Sequence, residues 1–211
     1  MNARDEILQN LRAQTRATTL PSPWQSRRHF DDPAGRFAES LAKVKGQVYR
    51  ARSMDDALNQ VGELFTELNT YYVVYNDEAP INEVAWSERF PEIQFRSPQR
   101  TPDRQTWREL CAAADVGITT ADAFLAETGS LVISSGPGKS RLVSLLPPVH
   151  LALLPIARLT TDIFTWMKAH NRQFPASTVL VSGPSKTADI EQTMSVGVHG
   201  PKKLIVVLVG E

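Results

Sequence analysis

The 211-residue chain holds one cysteine, Cys111. A lone thiol excludes an internal disulfide framework and, within one chain, any cysteine-built zinc or iron–sulfur site. Its setting, RELCAAAD, has helical composition, so Cys111 reads as a small buried hydrophobe rather than a nucleophile. No apolar run approaches the ~20 residues of a membrane span. The N-terminus, MNARDEILQNLRAQTRATTL, lacks the uninterrupted apolar core of a secretory signal, and Asp5 and Glu6 argue against a transit peptide. Net charge is missing too: 23 Lys and Arg balance 23 Asp and Glu. Bulk electrostatics therefore give no reason to expect nucleic acid or an anionic membrane as partner. A cytoplasmic protein is the expectation. The histidines, at 29, 150, 170 and 199, have no short ligand spacing, so no metal site is predicted.

Nucleotide loops are absent as well. GKS at 138–140 has the end of a phosphate loop, but Ile133 stands where its first glycine belongs. At 186–187 the Lys-Thr pair follows Ser185, not glycine, and no GxGxxG follows a strand.

What is present is an alternation of periods. Residues 2–17 space Ile7, Leu8 and Leu11 as a short amphipathic helix, and an aperiodic arm with Trp24 and Phe30 follows. Asp32 and Pro33 suit the start of a second helix. From residue 47, strands (QVYRA, YYVVY, EIQFR, HLALLPI, STVLVSG, KKLIVVLV) alternate with helices (SMDDALNQVGELFTELN, TPDRQTWRELCAAA, TTDIFTWMKAHN, TADIEQTMS). Gly117 and Gly129 break the stretch DVGITTADAFLAETGSLVISSG into two or three short strands with a hairpin or sharp bend. The pattern predicts an α/β domain with a mostly parallel sheet over 34–211, preceded by a helix and arm over 1–33. VLVSG and LIVVLV read as central strands covered on both faces.

Two turns nearly repeat: VISSGPGKS at 132–140 and VLVSGPSKT at 179–187. Ligands of open parallel sheets sit beyond the carboxyl ends of the strands. The expectation is that both Ser-Gly-Pro turns lead into helices there and form two walls of one pocket. Their backbone N–H groups would then face a phosphate, carboxylate or carbonyl oxygen; the alternative is that Ser182 to Thr187 merely turn and cap the chain. Glu127, in the run AFLAETGSLVIS, is either an edge carboxylate or one enclosed in a cleft as general acid, base or acyl acceptor. His199, in GVHGP, stabilises a turn or points into the same cleft.

AETG, the first Ser-Gly-Pro loop, SGPSKTADIE and GVHGP occur in that order. This combination resembles the LUD domain of the lactate utilisation protein C family over about 111–209, with compatible sequence from 35 onward. The resemblance implies a three-layer, mostly parallel α/β fold like ribose-5-phosphate isomerase, glucosamine-6-phosphate deaminase and CoA transferases. It also implies a role in bacterial oxidation of L-lactate to pyruvate beside two iron–sulfur partner proteins. That agrees with the lone cysteine, since a cluster would have to sit on another chain. Carried onto this sequence, the motifs are Glu127, Thr128 and Gly129, with Ser130 where Thr is more usual. Ser134, Ser135, Gly136 and Pro137 match the first loop, and Lys139 departs from its usual form. Ser182, Gly183, Pro184, Ser185, Thr187, Asp189 and Glu191 match the second, and Gly197, His199, Gly200 and Pro201 the last.

Glu127 and His199 are the catalytic candidates. Thr128, Gly129, Ser134, Ser135, Gly136, Ser182, Gly183, Ser185, Thr187 and Asp189 are the binding candidates, for a small carboxylate or phosphate-bearing ligand. Three readings stay open: a subunit of a lactate-oxidising complex, a stand-alone enzyme resembling a folate cyclo-ligase or acyl/CoA transferase, and a non-catalytic scaffold docked through its N-terminal helix. No cofactor is named by these residues.

Overall fold

The computed structural model describes residues 2–14, 24–101, 103–169, 175–188, 194–197 and 199–210. Helix α1 (Ala3–Gln14) buries no residue, and Ile7, Leu8 and Leu11 are exposed. Helix α2 (Pro33–Lys43) begins where the sequence places it: Asp32 accepts from the Gly35 amide and Pro33 occupies the first turn. Strand β1 (Gln47–Ala51) and helix α3 (Met54–Glu67) follow, α3 capped by Ser53 accepting from the Asp56 amide. Then come β2 (Tyr72–Tyr75), the short α4 (Trp86–Arg89), β3 (Gln94–Arg96) and α5 (Arg104–Ala113). Asp103, two residues past Thr101, caps α5 with its carboxylate on the Gln105 and Thr106 amides. The second half runs β4 (Val116–Thr119), β5 (Ala123–Leu125), β6 (Ser130–Ser134), α6 (Leu142–Leu145), β7 (Val149–Pro155), β8 (Leu159–Thr160) and α7 (Ile163–Ala169). It ends with β9 (Thr178–Val181), β10 (Lys186–Ala188), β11 (Met194–Val196) and β12 (Lys203–Val209).

Six strands form an all-parallel sheet in the order β1-β12-β7-β4-β2-β3. Parallel strands buried on both faces need continuous apolar sequence, and β12 with β7 at the centre supply it. Alternate residues face opposite sides. Ile118, Leu151, Leu153, Ile205 and Val207 pack beneath Ala57, Val61, Leu64 and Phe65 of α3. On the other face Ala152, Leu154, Val206 and Leu208 pack with Phe37 and Leu41 of α2 and with Phe124, Leu131 and Ile133 of β5 and β6. Farther along that face Val74 meets Trp107 and Cys111 of α5 and Val143 of α6. Burial there pushes the Cys111 thiol up to about 12, fitting an inert core residue.

The structure changes three expectations. Gly117 does not bend the chain; it lies inside β4, where an added Cβ would stand 1.9 Å from the Val143 carbonyl oxygen. VLVSG is not a central parallel strand: β9 lies at the edge of a second sheet, ordered β8-β5-β6-β9, and runs antiparallel to β6. The helix expected over TADIEQTMS is overturned at both ends. Lys186–Ala188 pairs antiparallel with Met194–Val196, and residues 189–193, Asp189 and Glu191 among them, lie outside the described residues.

Candidate functional site

The AETG turn joins β5 to β6 and is pressed onto α2. Ser40 Oγ donates to the carbonyls of Ala126 (3.2 Å) and Glu127 (3.1 Å). Gly129 has φ +67, and a Cβ on it would lie 2.4 Å from the Leu41 amide nitrogen, so neither the backbone conformation nor the space suits a side chain. The second Ser-Gly-Pro turn meets the same helix end: Gly183, at φ +101, is set against Val44, and Lys186 Nζ donates to the Val44 carbonyl. Two turns 52 residues apart thus share one support, and their hydroxyls meet. Thr128 Oγ1 is 2.7 Å from Ser130 Oγ, which is 2.6 Å from Ser182 Oγ.

Ser182 opens on a cavity of about 210 Å³ that Gly183, Ser185, His199, Gly200 and His150 also line. The turn carrying His199 is fastened to the second Ser-Gly-Pro turn by Ser185 N donating to the Pro201 carbonyl and Gly197 N to the Ser185 carbonyl, both 2.9 Å. An adjoining hollow shares Leu145, His199 and Gly200 and adds Lys202. Ser182, Gly183, Ser185 and His199 line the cavity, and Thr128 joins them through Ser130, beside Gly129. Thr187 is in β10, paired with Ser195, and Asp189 lies outside the described residues.

Ser134, Ser135 and Gly136 are not part of this cluster. Because β6 and β9 are antiparallel, with Leu131 opposite Val181 and Ser134 opposite Thr178, the turn after each strand lies at the opposite end of the small sheet. Four residues of strand separate them, about 13 Å. The two Ser-Gly-Pro turns are not walls of one pocket, and neither delivers an oxyanion to the start of a long helix. The first closes in a tight turn, with Gly136 bridged to Lys139, and α6 beyond it has four residues.

That first turn goes instead to the carboxyl edge of the parallel sheet. Lys139 Nζ lies 2.9 Å from Glu78 Oε2 and 2.8 Å from Asp122 Oδ1. Ser140 N donates to Asn76 Oδ1, Trp107 Nε1 to Ser140 Oγ, and Ser134 N to Asp122 Oδ2. Burial pulls the Lys139 pKa down, but the bonds to Asp122 and Glu78 outweigh it and hold the ammonium above its ordinary value. Burial likewise opposes ionised Asp122, and bonds from Lys139 and Ser134 keep it below the usual carboxylate range. Arg158 spans the same rim, donating to Thr120 Oγ1, the Ala121 carbonyl and the Ala79 carbonyl. The edge where open sheets usually take ligands is here cross-braced by its own charges. The cavity sits at the opposite, amino edge, where β7 and β12 begin.

Glu127 is neither a bare edge carboxylate nor a group enclosed alone. The N-terminal arm crosses it: Arg28 pairs with Glu127 at 2.9 Å and approaches Asp162 at 3.9 Å. Ser26 donates to Asp162, and Trp24 stacks edge-on against Phe164. Sequence reasoning missed Arg28, Asp162, Glu78, Asp122 and the role of Lys139. The only signal was the charge-rich NDE run after YYVVY, because these pairings span 17 to 134 residues of chain.

His150 was placed by sequence only as the start of a strand. It is 1% exposed; Nε2 lies 2.7 Å from Thr119 Oγ1, and Nδ1 has no hydrogen-bond partner among the described residues. Burial holds its pKa down at about 4, so the ring is neutral near pH 7. Among the described residues no three His, Cys, Asp or Glu side chains gather into a metal-holding group, and no helix is long and apolar enough to cross a membrane.

A parallel six-stranded sheet, overlaid by a small mixed sheet whose turns join hydroxyls to a cavity, defines an α/β protein with a hydroxyl-lined hollow at the amino edge of its main sheet. The chain belongs to the LUD domain family, whose signature matches residues 34–209, and within it to the lactate utilization protein C group. A lactate utilization protein C of Halalkalibacterium halodurans is 30% identical over 196 residues, 79% of this chain and 85% of its own length. Another, from Shouchella clausii, is 36% identical over 165 residues, 71% of this chain and 70% of its own. A crystal structure of a DUF162 family protein from Deinococcus radiodurans has the same fold, with TM-score 0.59 and 16% identity over 84% of this chain and 96% of that one.

Proposed function

We propose that this chain is a cytoplasmic component of a lactate utilization system, binding a small carboxylate at the Ser182–His199 cavity and working beside iron–sulfur partner proteins. One observation carries the reading: kinship with lactate utilization protein C extends over 85% of a relative's length. Two features of the chain support it. Its single cysteine is buried with its thiol pushed up to about 12, so cysteine-held redox centres fall to other chains. The cavity offers serine hydroxyls and an imidazole, with the Lys202 ammonium in the adjoining hollow, a set that suits a carboxylate of one negative charge. In this reading His199 is the acid/base group at the cavity. Glu127 stands at the far end of the hydroxyl chain, one residue before Thr128, its charge held by Arg28.

A clean deletion complemented with wild-type or Ser182→Ala protein tests this. Growth on L-lactate as sole carbon source is lost in the deletion, restored by wild type and impaired with Ser182→Ala, and the tagged wild-type chain brings down iron–sulfur proteins. Unimpaired lactate growth of the deletion, in a strain without another lactate dehydrogenase, would overturn the proposal. A second reading, that the chain acts as a docking subunit, is favoured by α1, whose apolar Ile7 and Leu8 face solvent.

A further inference from the structure

His150 is enclosed, yet its ring is half satisfied. Thr119 occupies Nε2, and Nδ1 is a buried polar atom with no partner among the described residues. Folded proteins seldom leave such atoms unpaired, and the exceptions cluster where a ligand or water completes the bond. His150 lines the 210 Å³ cavity together with Ser182, Ser185 and His199, while Leu145, Val179 and Leu204 give that cavity apolar wall. The position is built by the sheet: His150 is opposite Gly117 on one side and Leu204 on the other, and the Val143 carbonyl fills the place a side chain at 117 would take.

We propose that His150 is a ligand-binding residue whose Nδ1 takes the C2 oxygen of a short 2-oxo or 2-hydroxy carboxylate, with the carboxylate end toward Ser182, Ser185 and His199. The proposal rests on the small-carboxylate reading above and adds which oxygen is read, and by what. A buried neutral ring cannot serve as the counter-charge of a carboxylate, nor of a phosphate dianion. It can make one directional hydrogen bond, and its direction depends on the tautomer. If the Thr119 hydroxyl donates to Nε2, Nδ1 carries the proton and donates to a keto oxygen. If Nε2–H donates to Thr119, Nδ1 accepts from a 2-hydroxyl. Rotation of one hydroxyl and a change of tautomer let the same pocket hold either oxidation level of the ligand without acquiring charge.

The test uses the full chain with ring nitrogens labelled, titrated with pyruvate, L-lactate, acetate and inorganic phosphate. Pyruvate and lactate are expected to move the His150 Nδ1 resonance in opposite senses, towards donor and towards acceptor. Acetate, which has no C2 oxygen, and phosphate leave it in place. In calorimetry, His150→Gln keeps an amide near the Nε2 position but nothing at Nδ1, and pyruvate binding weakens by about tenfold or more. His150→Asn keeps a polar group near Nδ1, and binding stays within about threefold. If pyruvate moves the His199 resonances and leaves His150 unchanged, the inference falls while the cavity reading stands. If acetate moves Nδ1 as far as pyruvate does, the C2 assignment falls. If neither acid moves either histidine, both readings fall.

Discussion

His150 and His199 border one cavity, but only His150 is shielded from water, and that difference has a pH signature. Burial lowers the His150 pKa to about 4, from about 6.5 in an unfolded chain. Below its unfolded pKa the unfolded state therefore binds more protons than the folded one. Stability is full above pH ~6.5 and declines as pH falls towards ~4, by up to about 3 kcal/mol. Asp122 and Asp162, both held below the carboxylate range, begin to contribute their losses only in more acid solution. Urea unfolding at pH near 7 and near 4.5 is expected to show the decline in wild type and a much flatter profile in His150→Gln. An equal slope in both would remove His150 as its source. Such states were beyond sequence reading. Nothing in VHLALLP tells a buried histidine from a strand-edge one, and nothing in AETG announces an arginine 99 residues earlier, because both follow from what packs around the residue.

At the level of elements, local pattern found most helices and strands, including the Asp32–Pro33 start of α2 and the apolar run of β12. It did not find the direction in which β9 pairs. Apolar β-branched residues serve a parallel centre and an antiparallel edge alike, and the partner of β9 lies about 50 residues away in β6. The likeness of the two Ser-Gly-Pro turns was real in sequence, but the antiparallel pairing put them at opposite ends. Two glycines make the point measurable. Gly117 looked like a strand breaker, yet it admits the Val143 carbonyl to the sheet face, so Gly117→Ala is expected to cost about 2–4 kcal/mol despite alanine's better backbone entropy. Gly136 looked like a ligand-loop glycine, yet the nearest atom to an added Cβ is 3.8 Å away, on the Lys139 side chain. Gly136→Ala is expected to change stability by less than about 1 kcal/mol. Thermal unfolding of the two variants checks the contrast, and comparable losses would refute this account of the turns.

At the level of the whole molecule, the family signature starts at residue 34, and the chain before it divides in two. Residues 24–30 are tied to the body through Trp24, Ser26 and Arg28, whereas α1 buries nothing. Sequence gave both pieces one peripheral character, since an aperiodic arm and an amphipathic helix look equally dispensable until contacts are drawn. Their consequences should differ. Removing α1 deletes no buried residue and leaves Arg28 on Glu127, so thermal stability is expected to change by no more than a surface substitution would, about 0.5 kcal/mol. Arg28→Ala strips the partner from a carboxylate that is 27% exposed and from Asp162, which is fully enclosed, and should destabilise the chain more. A helix that presents Ile7 and Leu8 to water gains by covering them, so the truncated chain should keep pyruvate binding at the cavity yet fail to bring down iron–sulfur proteins from lysate of the same organism. If the truncated chain still recovers those proteins in full, α1 is not the docking element, and the contact must be sought on the body of the domain, where Leu145, Leu146 and Leu180 are also exposed.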